Sequence, residues 1–241
     1  MKFYDLGINS SLGNGIDRPE IMIELALRLG FVGVAFADFE NVSPKEIKIL
    51  KKQYQERCQI FTRATIIPKS VNDLKEKVKS LRNNVDIIAV RSKSEDKNVY
   101  INAILDKRVD LISLGEDREF NALEYSHFKM ARENAKVVEL SIRSLLEEGK
   151  QKSRLMRLMN KSCLQLLRAK TPFILSSGGQ SRWDLRAPGE LIALAGLVKI
   201  PEKRALRALS EYPEQLIKKV LMIRDPNYIM AGVHIVKPEE G

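Results

Sequence analysis

Residues 3–11 read FYDLGINSS, a run in which large apolar side chains alternate with small or polar ones until it ends in small polar residues. Alternation with a period of two predicts a β-strand over FYDLGI, residues 3–8, whose two faces meet different surroundings. A helix is predicted next, because Asp17 is placed to cap it, Pro19 lies in its first turn and Gly30 ends it. Residues 31–37, FVGVAFA, then predict a second strand, so the chain opens with a strand–helix–strand unit.

The same unit recurs along most of the chain. Five further strands are predicted at 59–67, 85–90, 109–114, 135–142 and 171–177. Capping residues and the helical spacing of apolar residues predict the helices between these strands. One helix starts at Ser43, Pro44 and Glu46, the next contains Leu74, Val78 and Leu81, and a third contains Ile101, Ile104 and Leu105. Two more helices are predicted at 121–134 and about 153–169. This alternation indicates βα units around a parallel sheet rather than a sandwich or a bundle.

After the seventh predicted strand, the alternation of strands and helices stops. Residues 187–225 read as consecutive helices punctuated by Pro201 and Pro213, and VHIVKPEEG at the end is a candidate eighth strand. No glycine-rich dinucleotide turn follows the first strand, which disfavours an open doubly wound sheet. We therefore predict an α/β fold, an irregular TIM-like (β/α) barrel with about seven βα units and extra C-terminal helices. We expect a single domain, 1–241, with a tail at about 226–241.

Charge and cysteine content narrow the function. Lys and Arg number 41 against 31 Asp and Glu, a formal net charge of +10, which favours a polyanionic partner but also suits a merely solvated surface. Cys58 and Cys163 lack metal-ligand spacing and are expected in the core.

No apolar run approaches the roughly 18 residues of a membrane span, and the N-terminus lacks a signal-peptide core. We expect a cytoplasmic protein with no membrane partner.

The first strand raises the question of a metal site. In many barrel metallohydrolases it ends Asp-Leu-His-x-His-Ser, with both histidines on one face. Here Gly7 and Asn9 take those places, and the two histidines of the chain, His127 and His234, lie in a predicted helix and in the tail. A histidine-based centre is therefore not predicted. Carboxylates could bind a hard cation instead, or could serve as hydrogen-bond anchors and helix caps: Asp5, Asp38, Glu40, Glu116 and Asp117.

The loop after the seventh strand carries four small residues, Ser176, Ser177, Gly178 and Gly179. Late loops of such barrels often bind phosphate through exposed backbone N–H groups. An ordinary tight turn would have the same composition. We therefore keep two interpretations of this segment, a phosphate-binding turn and a structural turn.

Two arginines flank the single tryptophan directly beyond that turn. Arg182 and Arg186 could clamp phosphates while a base or sugar stacks on Trp183. Alternatively, the indole packs into the helix layer and Asp184 pairs with an arginine. Both interpretations fit the local sequence.

A second basic feature is the helix predicted at about 153–169. Its cations Arg154, Arg157, Lys161 and Arg168 fall within an arc of about 60° at 100° per residue, and no acidic residue interrupts them. The apolar residues Leu155, Met159, Cys163 and Leu166 cluster elsewhere on the helix. This single-sign stripe is typical of an RNA-facing surface, although an acidic protein partner would select the same pattern.

Two arginines belong to strands. Arg91 ends the predicted fourth strand and is a further candidate for RNA contact. Arg63 lies within the third strand, where a charge needs either a partner or a polar barrel interior.

Three segments, FILSSGGQSRWDLRAPGELIALAGLVKI, RLGFVGVAFA and DLGINSS, resemble the archaeal ribonuclease P protein component 3 family, the counterpart of the eukaryotic thirty-kilodalton subunit. The resemblance covers essentially the whole chain. Its most specific part is the pattern S-S-G-x-x-S-x-x-D-L-R-x-P, formed by Ser176, Ser177, Gly178, Ser181, Asp184, Leu185, Arg186 and Pro188. It implies a TIM-like barrel related to the metal-dependent PHP phosphoesterases but without their catalytic ligands.

The resemblance also implies a function. Ribonuclease P removes the 5′ leader of precursor tRNA, and its RNA component performs the cleavage with Mg²⁺. This chain would be a non-catalytic subunit without a cofactor of its own, and its partners would be the ribonuclease P RNA, precursor tRNA indirectly, and other protein subunits. The RNA-binding residues are predicted from placement, not from the family: Arg91, Arg154, Arg157, Lys161, Arg182, Trp183 and Arg186.

Two other hypotheses remain open at this point. One is a metal-dependent phosphoesterase that uses Asp5, Asp38 and Glu116 in place of histidines. The other is a sugar-phosphate isomerase-like barrel that binds phosphate with residues 176–179. Both would be enzymes in their own right, unlike the RNA-binding subunit.

Overall fold

The computed structural model describes residues 1–40, 45–93, 97–146, 152–224, 228–230 and 233–234. One sheet of seven parallel strands runs in chain order. The strands are β1 (Phe3–Ile8), β2 (Phe31–Phe36), β3 (Gln59–Ile66), β4 (Ile87–Val90), β5 (Leu111–Leu114), β6 (Val137–Ser141) and β7 (Phe173–Ser176). This is the strand order of a (β/α) barrel. The predicted fold class is confirmed, and each predicted strand is found within two residues of its expected ends.

Helices cover the outside of the sheet. They are α1 (Pro19–Arg28), α2 (Lys45–Tyr54), α3 (Val71–Leu81), α4 (Lys97–Leu105), α5 (Asp117–Ala122), α6 (Tyr125–Glu133), α7 (Arg143–Leu146), α8 (Lys152–Ala169), α9 (Pro188–Leu197), α10 (Glu202–Leu209) and α11 (Glu211–Ile223). Ser43 and Pro44, the predicted start of the second helix, lie outside the described residues. Among the described helices, none combines the length and the hydrophobicity of a membrane-spanning segment.

Two helix predictions were wrong in detail. The single helix expected at 121–134 is divided into α5 and α6, because the backbone of Leu123 and Glu124 is extended. Pro213 does not separate two helices but lies in the first turn of α11, where the N–H that proline lacks would have no helical acceptor.

The core lies between the sheet and these helices. All residues of β4, β5 and β7 are buried, as expected for parallel strands covered on both faces. The predicted apolar face of α8 is confirmed, because Leu155, Met159, Cys163 and Leu166 are all buried. Both cysteines are buried and free, also as predicted.

The barrel closes at a seam between β1 and β7, which share no backbone ladder in the described structure. The Asp5 carboxylate spans this seam: it accepts hydrogen bonds from the N–H groups of Ser177 (3.2 Å) and Gly7 (3.2 Å). The N–H of Asn9 donates to the carbonyl of Gly179 (2.8 Å). Burial raises the pKa of Asp5 to about 6, although the hydrogen bonds it accepts lower it. Asp5 is thus a hydrogen-bond anchor, one of its two predicted roles.

No eighth strand joins the barrel sheet within the described residues. Instead, β8 (Tyr228–Met230) and β9 (Val233–His234) pair with each other as a short antiparallel hairpin. Of the candidate strand at 233–241, residues 233–234 form β9, and the remainder lies outside the described residues. Since α10 packs against both β7 and β1, a helix covers the seam where an eighth strand would stand.

Candidate functional site

The carboxyl ends of the strands surround a polar cavity of about 820 Å³. Barrels of this kind assemble their active sites at this face. Residues of all seven strands, or residues just after them, line it, including Asn9, Asp38, Arg63, Arg91 and Glu139. Any chemistry inherited from enzymes of this fold would take place here.

A buried ion pair in the barrel interior forms part of the lining of this cavity. Arg63 and Glu139 are 2% and 1% exposed, and two bonds of 2.6 Å join the guanidinium to the carboxylate. Arg63 also donates to the carbonyl of Leu6 (2.6 Å) and the hydroxyl of Thr65 (3.1 Å), while the Ser113 hydroxyl donates to Glu139 (2.5 Å). Burial alone would raise the pKa of Glu139, but the guanidinium outweighs it and holds that pKa below its usual value.

The sequence predicted an unusual environment for Arg63 but not for its partner, Glu139. Arg63 was expected to need a partner or a polar interior, and it has both. Glu139 was missed, although a carboxylate in the middle of the apolar run VVELS carried the same signal. A sheet closed into a barrel brings β3 and β6 to face each other across its interior, which a single sequence does not display.

Gly7 stands where a histidine would stand in a metallohydrolase, and there is no room for a side chain. A Cβ on Gly7 would lie 2.6 Å from Oε1 of Glu139 and 2.8 Å from the Ser176 side chain. Cβ atoms in proteins do not approach other atoms so closely, so even an alanine would force these neighbours to move. Glu139 and Ser176 fill the space that a ligand side chain would need.

The residues at the barrel mouth do not fit a metal centre of the histidine type. Asn9, in the second expected ligand position, donates its side-chain amide to the carbonyl of Gly179 (3.3 Å) at the seam. The guanidinium of Arg63 already places a positive charge in the interior. His127 lies in α6, where its Nδ1 accepts the N–H of Glu124 (3.1 Å).

The three carboxylates considered as alternative ligands do not converge either. Asp5 is engaged at the seam, and Asp38 accepts the N–H (2.8 Å) and hydroxyl (2.6 Å) of Ser10. Burial raises the pKa of Asp38 to about 6 despite these bonds. The Glu116 side chain is 59% exposed on the rim. Across the described chain no three His, Cys, Asp or Glu residues group as metal ligands would, so the phosphoesterase hypothesis is not supported.

The remaining loop carboxylates have local partners. Glu40 pairs with Lys77 (2.5 Å). Glu116 occupies the N-cap position of α5, as the helix-cap interpretation predicted, whereas Asp117 is the first residue of the helix and not its cap.

Two backbone N–H groups of the turn at 176–179 already form hydrogen bonds within the chain. The N–H of Ser177 donates to the Asp5 carboxylate, and the N–H of Gly179 donates to the Ser177 hydroxyl (3.2 Å). Gly178 adopts φ of 65°, a left-handed conformation that favours glycine. A phosphate site here stays a prediction, and the two internal bonds weigh towards the structural turn.

Arg182 is held by Asp17, across the seam. The Asp17 carboxylate accepts bonds from the backbone N–H (2.8 Å), Nε (2.9 Å) and Nη2 (2.5 Å) of Arg182, and these bonds hold the pKa of Asp17 below its usual value. The expected role of Asp17 as a helix cap was wrong: the N-cap of α1 is Arg18, because the Asp17 oxygens are engaged by Arg182.

Trp183 lies on the surface. Its side chain is 79% exposed, so the alternative in which the indole packs into the helix layer is wrong. Among the residues that the structure describes, Asp184 pairs with no arginine; its carboxylate accepts the backbone N–H groups of Gln180 and Ser181 (2.9 Å each). Arg186 donates to the carbonyls of Trp183 and Leu185 and, within the described residues, forms no ion pair.

The basic stripe of α8 faces outward, because Arg154, Arg157, Lys161 and Arg168 are all exposed. Two members have neighbours on α5 and α6. Arg154 lies 3.7 Å from Asp117, and the Arg168 guanidinium lies 5.2 Å from the centre of the Tyr125 ring. Neither Arg157 nor Lys161 forms an ion pair with another described residue.

Arg91 differs from the stripe. It is half-buried and makes two bonds of 2.9 and 3.0 Å to Glu119, with Glu116 at 3.4 Å. Its charge is therefore largely neutralised within the chain. Its RNA contact stays a prediction, and any phosphate would compete with these carboxylates.

Comparison with known proteins agrees with this architecture. The family described as "RNase P subunit p30" matches residues 2–224. Ribonuclease P protein component 3 of Methanosarcina acetivorans is 29% identical over 242 residues, which covers 99% of this chain and 98% of that protein. The protein of the same name from Methanococcoides burtonii is 29% identical and covers 98% and 95%.

Solved structures share the fold. A chain in a cryo-EM structure of archaeal ribonuclease P with mature tRNA superposes with a TM-score of 0.80 at 19% identity, covering 99% of this chain and 100% of that one. Histidinol phosphate phosphatase from Lactococcus lactis, complexed with zinc, L-histidinol and phosphate, gives 0.53 at 10% identity, covering 91% and 94%. Because the family match extends over nearly all of its length, this chain belongs to the RNase P subunit p30 family.

Proposed function

We propose that this chain is a protein subunit of ribonuclease P, the endoribonuclease that removes the 5′ leader of precursor tRNA. The observation that carries the proposal is the family match over residues 2–224. The full-length similarity to proteins named ribonuclease P protein component 3 supports it. Its partners are then the ribonuclease P RNA, precursor tRNA through that RNA, and other protein subunits, in the cytoplasm.

In this proposal the RNA component carries out the cleavage with Mg²⁺, and this chain is non-catalytic and needs no cofactor. The barrel interior supports that division of labour. The space that a catalytic ligand would use beside Gly7 is filled by Glu139, which is neutralised by Arg63. The scaffold of an enzyme is then used for its rigid outer surface.

The surface that binds RNA is, in this proposal, the basic stripe of α8. Folding an RNA brings phosphates together, and fixed cations reduce their repulsion and the Mg²⁺ concentration needed. Arg157 and Lys161 are best placed, because they are exposed and form no ion pair in the described structure. Arg91 and Arg182 offer less free charge, since each already binds a carboxylate.

The test compares two double variants, each of which removes two positive charges that lie four residues apart on one helix. Arg157→Gln with Lys161→Gln alters the stripe, and Lys48→Gln with Lys52→Gln alters exposed lysines of α2. We expect the stripe variant to need more Mg²⁺ for precursor tRNA cleavage by the reconstituted particle. We also expect its salt slope of RNA binding to fall by about two, one for each phosphate that the variant no longer binds. Equal behaviour of the two variants would contradict the proposed surface.

A further inference from the structure

The turn that follows β7 presents a second surface with different chemistry. Trp183 is the single tryptophan of the chain, and its side chain is 79% exposed. Removing so large an apolar side chain from water is a strong source of binding energy, and exposed tryptophans are enriched where a partner binds. The turn lies away from the α8 stripe in sequence and belongs to the seam of the barrel.

The backbone that carries this indole is held from several sides. The Nη1 atom of Arg186 donates to the carbonyl of Trp183 itself (2.6 Å) and to that of Leu185 (2.8 Å). Leu185 is buried, and the Asp184 carboxylate binds two backbone N–H groups of the same turn. A platform that is already ordered loses little conformational entropy when a ligand binds.

The Arg186 guanidinium, which binds the Trp183 carbonyl through Nη1, still has free donors. Nε and Nη2 of Arg186 form no hydrogen bond within the described residues, and no carboxylate there pairs with it. Arg182 differs, because Asp17 binds both its side chain and its backbone N–H. Of the two arginines that flank Trp183, only Arg186 therefore offers both charge and donors to a ligand.

An exposed indole and an unpaired guanidinium that binds the same residue's backbone carbonyl match the two parts of a nucleotide. Bases stack on aromatic side chains, and guanidinium donors bind phosphate oxygens. Bases within a duplex are covered on both faces by their neighbours, whereas unpaired bases are free to stack on protein. An apolar protein partner would gain from the indole but would have to desolvate the Arg186 charge.

We propose that Trp183 and Arg186 together bind one unpaired nucleotide of RNA, with the base stacked on the indole and a phosphate bound by Nε and Nη2 of Arg186. This inference rests on the proposed function and adds a requirement for single-stranded RNA. The α8 stripe binds phosphates of any RNA, while this site selects RNA that has an unpaired base.

The single tryptophan makes the test direct, because all tryptophan fluorescence of the chain comes from the site. The full chain is titrated at low salt with a single-stranded RNA of about ten nucleotides, within the usual site sizes, and with the blunt duplex of the same strand. We expect the single strand to quench the fluorescence and the duplex to bind without quenching.

Variants separate stacking from charge. Trp183→Ala should weaken binding of the single strand by about tenfold, the effect of removing one base–aromatic stack, and leave duplex binding unchanged. Trp183→Phe should retain most of the affinity. Arg186→Gln should lower the salt slope for the single strand by about one. Ile16→Ala is the matched control, since Ile16 is 74% exposed on the neighbouring loop and should have no effect.

Each other outcome has a defined meaning. If the single strand binds without quenching and Trp183→Ala binds it normally, the inference is wrong and the proposed function stands. If Trp183→Ala binds RNA normally but no longer assembles with the other protein subunits, the indole is a protein contact and the inference is also wrong. If the unaltered chain binds neither RNA at low salt, the RNA-binding part of the proposed function fails with it.

Discussion

The barrel interior and the outer face of α8 both contain arginines, and they differ in what surrounds the charge. Arg63 is buried, bound twice to Glu139, and supplied with further acceptors. Arg157 is exposed on α8 and has no ion-pair partner in the described structure. The buried charge is used entirely within the fold, whereas the exposed one remains available to a ligand.

This difference decides which measurement reports on each region. Removing one partner of a buried ion pair leaves an uncompensated charge in a place that water does not reach, which is strongly destabilising. Removing an exposed cation changes stability little, because water and salt already screen it. Interior variants should therefore change the free energy of unfolding, and stripe variants should change RNA binding.

The largest expected effect follows from Arg63→Met. It leaves the Glu139 carboxylate buried without its partner, and we expect a loss of about 3–5 kcal/mol in the free energy of unfolding near neutral pH. The loss should be smaller at pH 5.5, because without the guanidinium the pKa of Glu139 rises and the carboxyl takes up a proton. Denaturant unfolding at the two pH values measures both effects.

The control for Arg63 is the double variant Arg63→Met with Glu139→Gln, which has no buried charge at this position. It should be more stable than Arg63→Met alone at neutral pH, and its pH dependence should be weaker. A loss below about 1 kcal/mol for Arg63→Met, the range of an exposed pair, would show that the interior is solvated and would remove the contrast with α8.

A second effect concerns the sign of pH dependence at the seam. Burial raises the pKa of Asp5 to about 6, above the roughly 3.9 of an unfolded aspartate. The folded state therefore binds the proton more tightly, and this contribution to stability is present at low pH and is lost as pH rises through 6. Asp5→Asn should remove this pH dependence. The free energy of unfolding of the variant, relative to that of the unaltered chain, should therefore rise by about 2–3 kcal/mol as pH increases from 4 to 7.

Asp17 is the matched control across the same seam. Arg182 holds its pKa below the usual value, so its contribution to stability is present above the unfolded pKa and is lost as pH falls. Asp17→Asn should therefore be most damaging near neutral pH and harmless in acid, opposite in direction to Asp5→Asn. The same pH trend in both variants would contradict the assignment of Asp5 as a buried, proton-binding anchor.

The sequence was most informative where periodicity reports burial. The seven strands and the buried face of α8 follow from spacing alone, because each side chain's face is set by the local backbone. The division between α5 and α6 was not predictable in this way, since extended backbone at Leu123 carries no strong sequence signal.

The site was less predictable, because its contacts join distant parts of the chain. Arg63 and Glu139 are 76 residues apart, and Arg182 and Asp17 are 165 apart. Charge, exposure and position could be anticipated for each residue alone. Which carboxylate neutralises which arginine depends on how the barrel closes, and that pairing decides which cations are free for RNA.

The smallest expected effect distinguishes two cations of the α8 stripe, Arg168 and Arg157. Arg168 lies over the Tyr125 ring, so Arg168→Gln should cost about 0.5–1 kcal/mol of stability, because glutamine cannot form the cation–π interaction. Arg157→Gln should change stability by less than about 0.5 kcal/mol, yet lower the salt slope of RNA binding by about one. Denaturant unfolding and salt titration of both variants measure the two quantities. If Arg157→Gln is the less stable variant, or if it leaves the salt slope unchanged, then exposure without an ion-pair partner does not identify the cations that bind RNA.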